Sequence, residues 1–276
     1  MLAQSGNKAT MASLNHDIIK RISLRIPTLA VQQDIADILS AYDDLIENNR
    51  RRMTLLEEAA RQLYREWFVR PRFPGHEHTR ITDGVPEGWE WRIIRDVAEV
   101  NQESLGNSFD GEIEYVDISS VTPGQINETA AYDFRDAPIR ARRVVRHGDI
   151  IWSCVRPNRR SHAVIWHPRS NLIVSTGFAV LTPRTVPTAF LYFATTTDAF
   201  VGYLENHARG AAYPAVVAGD FERAELLVPS RTLLAFFNDF VEPILSQIHS
   251  LRDQNRKLHA ARDLLLPRLM SGEIAV

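Results

Sequence analysis

The feature that most constrains this chain is an apolar stripe with coiled-coil spacing, which occurs twice. Between residues 35 and 67, positions alternately four and three apart are apolar at nine of ten places. Such spacing is typical of a helix that buries one narrow face against another helix. The ten positions are Ile35, Leu39, Tyr42, Ile46, Asn49, Met53, Leu56, Ala60, Leu63 and Trp67. The pattern predicts one long helix, bracketed by Pro27 and Pro71.

The same stripe recurs about 200 residues later, so the chain contains an internal repeat. Shifting each position by 202 gives eight apolar residues of ten, and DIIKRISLRIP (17–27) resembles DFERAELLVP (220–229). The second set is Phe237, Val241, Ile244, Ile248, Leu251, Asn255, Leu258, Arg262, Leu265 and Leu269. Two prolines fall inside this copy, so we expect a helix break near Pro243 and fraying at Pro267.

Neither stripe can stay exposed to water, and the simplest way to bury them is against each other. Asn49 and Asn255 lie within the two stripes, where a buried polar residue fixes register and partner choice at some cost in stability. The alternative is two ordinary amphipathic helices that pack separately on a globular core. We favour the paired arrangement, an antiparallel coiled coil.

The segment between the helices predicts a compact α+β domain. Short β-branched or aromatic runs at 113–121, 149–155, 161–166 and 178–183 are separated by turn-like breaks, and residues 187–206 have a helical pattern. The predicted divisions are a first helix at 28–70, a linker at 71–84, the domain at 85–228 and a second helix at 229–276.

Positive charge is concentrated in this domain. The net charge of the chain is −2, yet residues 135–169 contain nine arginines and only two acids. This local excess of seven positive charges leaves the rest of the chain at −9, so we expect one basic face on an acidic body. A polyanionic partner would meet that face first. The alternative is that some of these arginines form ion pairs or stack on Trp152 and Trp166.

The sequence offers little for catalysis. It lacks glycine-rich phosphate loops, a nucleophile elbow, an HExxH motif and paired cysteines. The single cysteine, Cys154, lies in an apolar run and is expected to be buried, and the His76-Glu77-His78 triplet is expected to be solvated. The N-terminal segment has no apolar signal core, which predicts a cytoplasmic protein. We expect a binding protein rather than an enzyme, with no metal or cofactor of its own.

DNA is the polyanion that the arginine loops fit best. An arginine fork matches phosphate oxygens and the O6/N7 edge of guanine, and the amide of Asn158 matches adenine. We predict DNA contacts at Arg142, Arg143, Arg156, Asn158, Arg159 and Arg160. Further candidates are Tyr115, Ser119, Ser120 and Tyr213.

The ordered combination of several segments resembles the specificity subunits of Type I restriction-modification systems. The segments of this chain resemble the family's central conserved helix, the start, body and end of its target recognition domain, and its distal conserved helix. In that order, the segments are residues 26–69 with RFPGHE (72–77), VPEGWEWRIIRDVAEV (85–100), ARRVVRHGDIIWSCVRPN (141–158), STGFAVLTP (175–183), GAAYPAVVAGDFERAELLVPS (210–230) and RDLLLPRLMSGEI (262–274).

The resemblance implies an α+β fold, in which one globular target recognition domain is flanked by two long helices that form an antiparallel coiled coil. It also implies a non-catalytic subunit that recognises double-stranded DNA and docks methyltransferase subunits and, in some systems, restriction subunits. S-adenosylmethionine is expected on the partner methyltransferase. The alternative is a scaffold that binds the methyltransferase without engaging DNA.

The sequence departs from the family pattern in having one full recognition domain rather than two. Residues 1–27 resemble the tail of another such domain. One interpretation is a half-length subunit whose helices combine with those of a second copy to read a symmetric bipartite target. The other is a truncated fragment with little activity of its own. We favour the first because both helices are intact.

Overall fold

The computed structural model describes residues 16–22 and 26–276, in which two long helices accompany a mixed sheet domain. The helices are α1 (His16–Lys20), α2 (Leu29–Tyr64), α3 (Ile94–Val97), α4 (Thr188–Thr195), α5 (Asp198–His207), α6 (Ala218–Glu222) and α7 (Arg231–Ser271). A π-helical turn, Arg65–Val69, continues α2. Short 3-10 turns occupy His76–His78, Ile118–Ser120 and Pro157–Arg159. Both long helices lie close to the ranges that the stripes predict.

The strands form two four-stranded sheets and three two-stranded ones. They are β1 (Ile81–Thr82), β2 (Val85–Pro86), β3 (Glu90–Ile93), β4 (Ala98–Val100), β5 (Glu112–Val116), β6 (Val121–Thr122), β7 (Gln125–Ile126), β8 (Ala130–Asp133), β9 (Ala141–Val144), β10 (Ile150–Ser153), β11 (His162–Val164), β12 (Leu172–Ser175), β13 (Phe178–Pro183) and β14 (Glu225–Val228). The larger sheets have the orders β11-β10-β13-β4 and β8-β5-β12-β9, and the small sheets pair β1 with β2, β14 with β3 and β6 with β7.

The chain divides into two compact units. The first contains the described residues up to Arg51 together with Arg252–Val276. Here α2 and α7 run antiparallel, and Asn49 Nδ2 donates to Asn255 Oδ1 at 2.9 Å. Asn255 Nδ2 in turn donates to the Ile46 carbonyl at 3.1 Å, and Arg262 pairs with Asp43 at 2.6 Å. The two stripe asparagines therefore bond to each other, inside one chain.

The second unit, Arg52–Leu251, also holds α2 and α7 side by side. The rings of Tyr64 and Trp67 lie 6.1 Å and 5.9 Å from that of Phe237. The same cluster extends to Phe190 and Phe193 of α4, so the helix ends and the sheet domain share one core. Across both units, every predicted stripe position is buried or half-buried. The prediction of an antiparallel coiled coil is confirmed.

The expectation about the two prolines is wrong, since α7 continues through Pro243 and ends only at Ser271, beyond Pro267. A proline inside a helix costs about 3 kcal/mol because it removes one hydrogen bond and crowds the preceding turn. Val241 and Leu245 on either side of Pro243 are buried, as is Leu269 after Pro267. Packing on both sides of Pro243, and beyond Pro267, outweighs the local cost.

The directions of the strands determine at which edge of the sheet each loop lies. The runs predicted as strands contain β5, β10, β11 and β13, and the predicted helical segment forms α4 and α5. β12, which the sequence analysis did not identify, runs parallel to β5, with Ile173 opposite Tyr115. Because parallel strands end at the same edge, the segments after β5 and β12 leave the sheet side by side.

Candidate nucleic-acid interface

The turn between β12 and β13 brings several loops together. The backbone N–H of Cys154 donates to the Gly177 carbonyl at 2.8 Å, and that of Thr176 donates to the Arg140 carbonyl at 2.8 Å. A Cβ on Gly177 would overlap the Cδ1 of Ile118, so only glycine lets the 118–120 turn approach this closely. The loops bearing Arg140, Ile118 and Arg156 thus share one anchor.

The loop with the sequence RPNRR (156–160) has an unusual backbone. Arg156 and Arg160 both have left-handed conformations, with φ of 52° and 53°, and they flank the 3-10 turn Pro157–Arg159. Residues other than glycine seldom adopt this region, at a cost of about 1 kcal/mol or more each. Buried Pro157 fixes the start of the turn, so the side chains of Asn158 and Arg159 are presented to solvent.

A second loop, residues 208–217, supports the first. The Arg156 N–H donates to the Pro214 carbonyl at 2.7 Å, and the Val216 N–H donates to the Cys154 carbonyl at 2.9 Å. The Arg156 guanidinium carbon lies 4.6 Å from the ring centroid of Tyr213, whose side chain is 69% exposed. Arg156 and Tyr213, both predicted DNA contacts, are therefore brought together as a stacked pair.

The other predicted arginines differ in how firmly they are held. Arg142 lies over the Phe134 ring at 4.4 Å and donates to the carbonyl of Ala141. Arg143 donates to Ser104 Oγ at 3.0 Å, while its buried Nε has no partner among the described residues. Both are half-buried on β9. Asn158 and Arg159 are exposed.

Arg160 does not join the Arg156–Tyr213 pair and instead donates to Asp198, at the start of α5, at 2.5 Å. This bond, with the charges of Arg160, Arg65 and Arg61, lowers the pKa of Asp198. Arg160, which was predicted to act together with Arg156, therefore has a different partner.

The remaining candidates surround Asp117. Tyr115 is 4% exposed, and its hydroxyl donates to Asp117 Oδ2 at 3.0 Å. Ser119 donates to Asp117 through both its backbone N–H and its hydroxyl. Partial burial raises the pKa of Asp117, but the bonds from Ser119 and Tyr115 and the charge of Arg140 outweigh it and lower the pKa. Buried Tyr115 thus supports the 118–120 turn through Asp117. Ser119 is exposed and Ser120 is half-exposed.

Ion pairing divides the arginine cluster. Arg135, Arg146, Arg160 and Arg169 pair with Asp110, Glu103, Asp198 and Glu114. Over the described part of the chain, Arg140, Arg142, Arg143, Arg156 and Arg159 have no carboxylate partner within ion-pair distance. Four of the six charged or amide side chains predicted to contact DNA therefore keep their positive charge uncompensated. The expected stacking occurs on Tyr213 and Phe134 rather than on Trp152 and Trp166.

Two further arginines at this surface were not among the predicted contacts. Arg140 is exposed and lies close enough to Asp117 to lower its pKa, and Arg209 is exposed at the base of the 208–217 loop, where it bridges to Ala215. Arg140 could have been selected from its place in the arginine run. The sequence around Arg209 does not indicate a binding role, because only the fold brings its loop next to Arg156.

Other chemistry is limited in the part of the chain that the structure describes. Burial raises the pKa of the Cys154 thiol to about 11, so it stays protonated and unreactive. No group of three or more histidine, cysteine or acidic side chains in residues 16–22 and 26–276 could hold a metal ion. Among these residues, no helix is long and apolar enough to cross a membrane.

Comparisons with known proteins point to one family. A family model described as the Type I restriction modification DNA specificity domain matches residues 2–58. The chain is 25% identical over 290 residues to the Type I restriction enzyme MjaIX specificity subunit of Methanocaldococcus jannaschii, covering 97% of this chain and 64% of the relative. It is 22% identical over 346 residues to the HindI specificity subunit of Haemophilus influenzae, covering 99% and 73%.

Solved structures agree with these relatives. The HsdS subunit of Thermoanaerobacter tengcongensis matches with a TM-score of 0.51 and 25% identity, over 66% of this chain and 48% of that one. The S subunit from M. genitalium has the same fold, with a TM-score of 0.55 at 15% identity over 88% and 61%. The chain thus spans less than two thirds of the MjaIX subunit and about half of the HsdS subunit.

Proposed function

We propose that this chain is a member of the specificity-subunit family of Type I restriction-modification systems and that it recognises a specific sequence in double-stranded DNA. The observation that carries the proposal is the stack of Arg156 on Tyr213, next to exposed Asn158 and Arg159. An arginine already held by an aromatic ring loses less side-chain freedom when its fork pairs with a guanine edge.

The surrounding charge supports the same role. Among the described residues, five arginines have no carboxylate partner within ion-pair distance, so their charges can act on phosphates or base edges. They are Arg140, Arg142, Arg143, Arg156 and Arg159. Phosphate contacts position a protein on a duplex, and base contacts select the sequence. We assign Arg156 to base contact because Tyr213 holds its fork, and Asn158 because its amide matches adenine. We assign Arg140 and Arg159 to the backbone.

We further propose that the chain has no catalytic role and directs partner methyltransferase subunits, which carry S-adenosylmethionine and modify adenine, to a bipartite target. Restriction subunits join the complex in some systems. We also propose that the chain pairs with a second copy of itself. Because α2 and α7 already bury their stripes against each other within one chain, a second copy would bind through other surfaces.

The proposal is tested by binding of the purified chain, alone and with its methyltransferase subunit, to short genomic duplexes at several salt concentrations. We expect one subset of duplexes to bind at least tenfold more tightly than the rest. The matched pair of variants is Arg156→Ala and Arg135→Ala, since Arg135 is exposed but paired with Asp110. Specific binding should be lost only in the first. A complex that forms but binds no duplex would favour the scaffold alternative, and one that binds every duplex equally would contradict specific recognition.

A further inference from the structure

A groove in the second unit lies away from the Arg156–Tyr213 stack. It has a volume of about 870 Å³ and is lined by the end of α2, the start of α5 and β14. Its charged rim includes Arg61, Arg65 and Arg160, and its aromatic wall includes Trp91 and Phe193. The volume falls within the range of small-ligand sites.

The charges of three guanidinium groups that line this groove act on one carboxylate. Asp198 accepts from Arg160, and the charges of Arg65 and Arg61 act on it as well. Arg61 is fixed by donating to Glu57 and to Thr196 Oγ1 and by lying over the ring of Phe193. Arg65 is exposed, and its guanidinium has no ion-pair or hydrogen-bond partner among the described residues. The rim therefore already binds one oxyanion, the carboxylate of Asp198, and the guanidinium of Arg65 remains available for another.

The groove also reaches a buried polar group that lacks a partner. His162 lines it, is 3% exposed, and has an Nδ1 atom with no hydrogen-bond partner in the described structure. Burial, and then the charges of Arg61 and Arg160, lower its pKa to about 3, so the ring is neutral and retains one N–H donor. Unpartnered buried polar groups are rare in folded proteins and call for an explanation such as a bound ion.

We propose that this groove is a phosphate-binding site, in which Arg61, Arg65 and Arg160 hold a phosphate group of the DNA backbone. Phosphate suits the site because its several oxygens can accept from more than one arginine fork at once. The choice of DNA as the source rests on the proposed function: Arg160 ends the loop that presents Asn158 and Arg159, so the loop and the groove share one arginine.

The test uses the full chain with two probes, a short DNA duplex and inorganic tripolyphosphate. Arg65→Ala should weaken binding of both probes several-fold and lower the slope of log affinity against log salt for the duplex by about 0.9, the effect of one lost phosphate contact. Asp198→Asn should tighten both, because it removes the competing carboxylate. Arg80→Ala, an exposed arginine outside the groove, is the control for lost charge.

Opposite effects of the two groove variants support the site, since a folding defect would weaken binding in both. A response with tripolyphosphate alone would support the phosphate site and overturn DNA as the source, even if the chain bound no duplex. If Arg65→Ala and Asp198→Asn match Arg80→Ala with both probes, the proposal is wrong, whether or not the duplex still binds through Arg156. A change confined to methyltransferase binding would also overturn it and mark a protein-docking surface.

Discussion

Asn49 and Asn255 lie 206 residues apart in sequence and bond to each other at 2.9 Å inside the antiparallel helix pair. Both are 7% exposed. A buried amide pair of this kind stabilises a coiled coil less than leucines would, but it disfavours any register that separates the two amides. The pair therefore fixes how α2 and α7 align.

Breaking this bond from one side should destabilise the protein. We expect Asn49→Ala to lower the free energy of unfolding by about 1–3 kcal/mol, because it leaves the buried amide of Asn255 short of a partner. Replacing both asparagines by leucine should raise that free energy above the wild-type value. Urea unfolding monitored by circular dichroism measures both effects. A double leucine variant less stable than Asn49→Ala would show that the amides do more than set register.

Gly177 should tolerate no side chain while Ile118 keeps its full length. We expect Gly177→Ala to cost about 1–3 kcal/mol of stability, because its Cβ overlaps the Ile118 Cδ1 atom. Ile118→Val removes that atom and should recover part of the loss. A double-mutant cycle measures the coupling, and purely additive effects would contradict this packing.

The Arg156–Tyr213 stack should matter through the ring rather than the hydroxyl. Tyr213→Phe keeps the ring and should leave DNA affinity nearly unchanged, whereas Tyr213→Ala frees the guanidinium. We expect Tyr213→Ala and Arg156→Lys each to cost roughly 1–3 kcal/mol of specific binding, because lysine lacks the planar fork. Fluorescence anisotropy with a target duplex measures this. Equal losses in the Phe and Ala variants would contradict a stacking role.

His162 should make the protein sensitive to acid. Its folded-state pKa of about 3 lies below the usual value of 6.5, so the unfolded chain binds a proton more readily. The stability that this neutral ring contributes is fully present above pH 6.5 and is lost as the pH falls toward 3. The loss is on the order of a few kcal/mol.

The pH dependence of unfolding checks this sign. His162→Leu should flatten the decline in stability between pH 6.5 and 4, while exposed His78, replaced in the same way, should leave the slope unchanged. A wild-type slope that persists in His162→Leu would mean that other groups control the acid response.

Local pattern predicted the helices well, and distant contacts explain the rest. The stripe from Ile35 to Trp67 identifies α2 because helical periodicity is contained in neighbouring residues. The predicted break at Pro243 was wrong because the rule that proline interrupts a helix considers only neighbouring residues. It omits the packing of Val241 and Leu245, which keeps α7 continuous. The cost of a proline inside a helix, about 3 kcal/mol, is smaller than the stabilisation from such packing.

The candidate site was predicted in composition but not in geometry. The arginine run identified Arg156 and Arg160 together, yet the fold sends one to Tyr213 and the other to Asp198. These partners lie 57 and 38 residues away, beyond the reach of any local pattern. Burial of Tyr115 likewise depends on the parallel pairing of β5 with β12, which no single strand reveals.

The most direct measurement of the central claim is long-read mapping of methylated adenines in cells that carry this chain and the methyltransferase proposed as its partner. We expect one bipartite motif with the wild-type chain. With Arg156, Asn158 and Arg159 all replaced by alanine, and the complex still assembled, the motif should disappear or lose definition in one half. An identical motif, methylated to the same extent by the triple variant, would contradict DNA recognition by this loop.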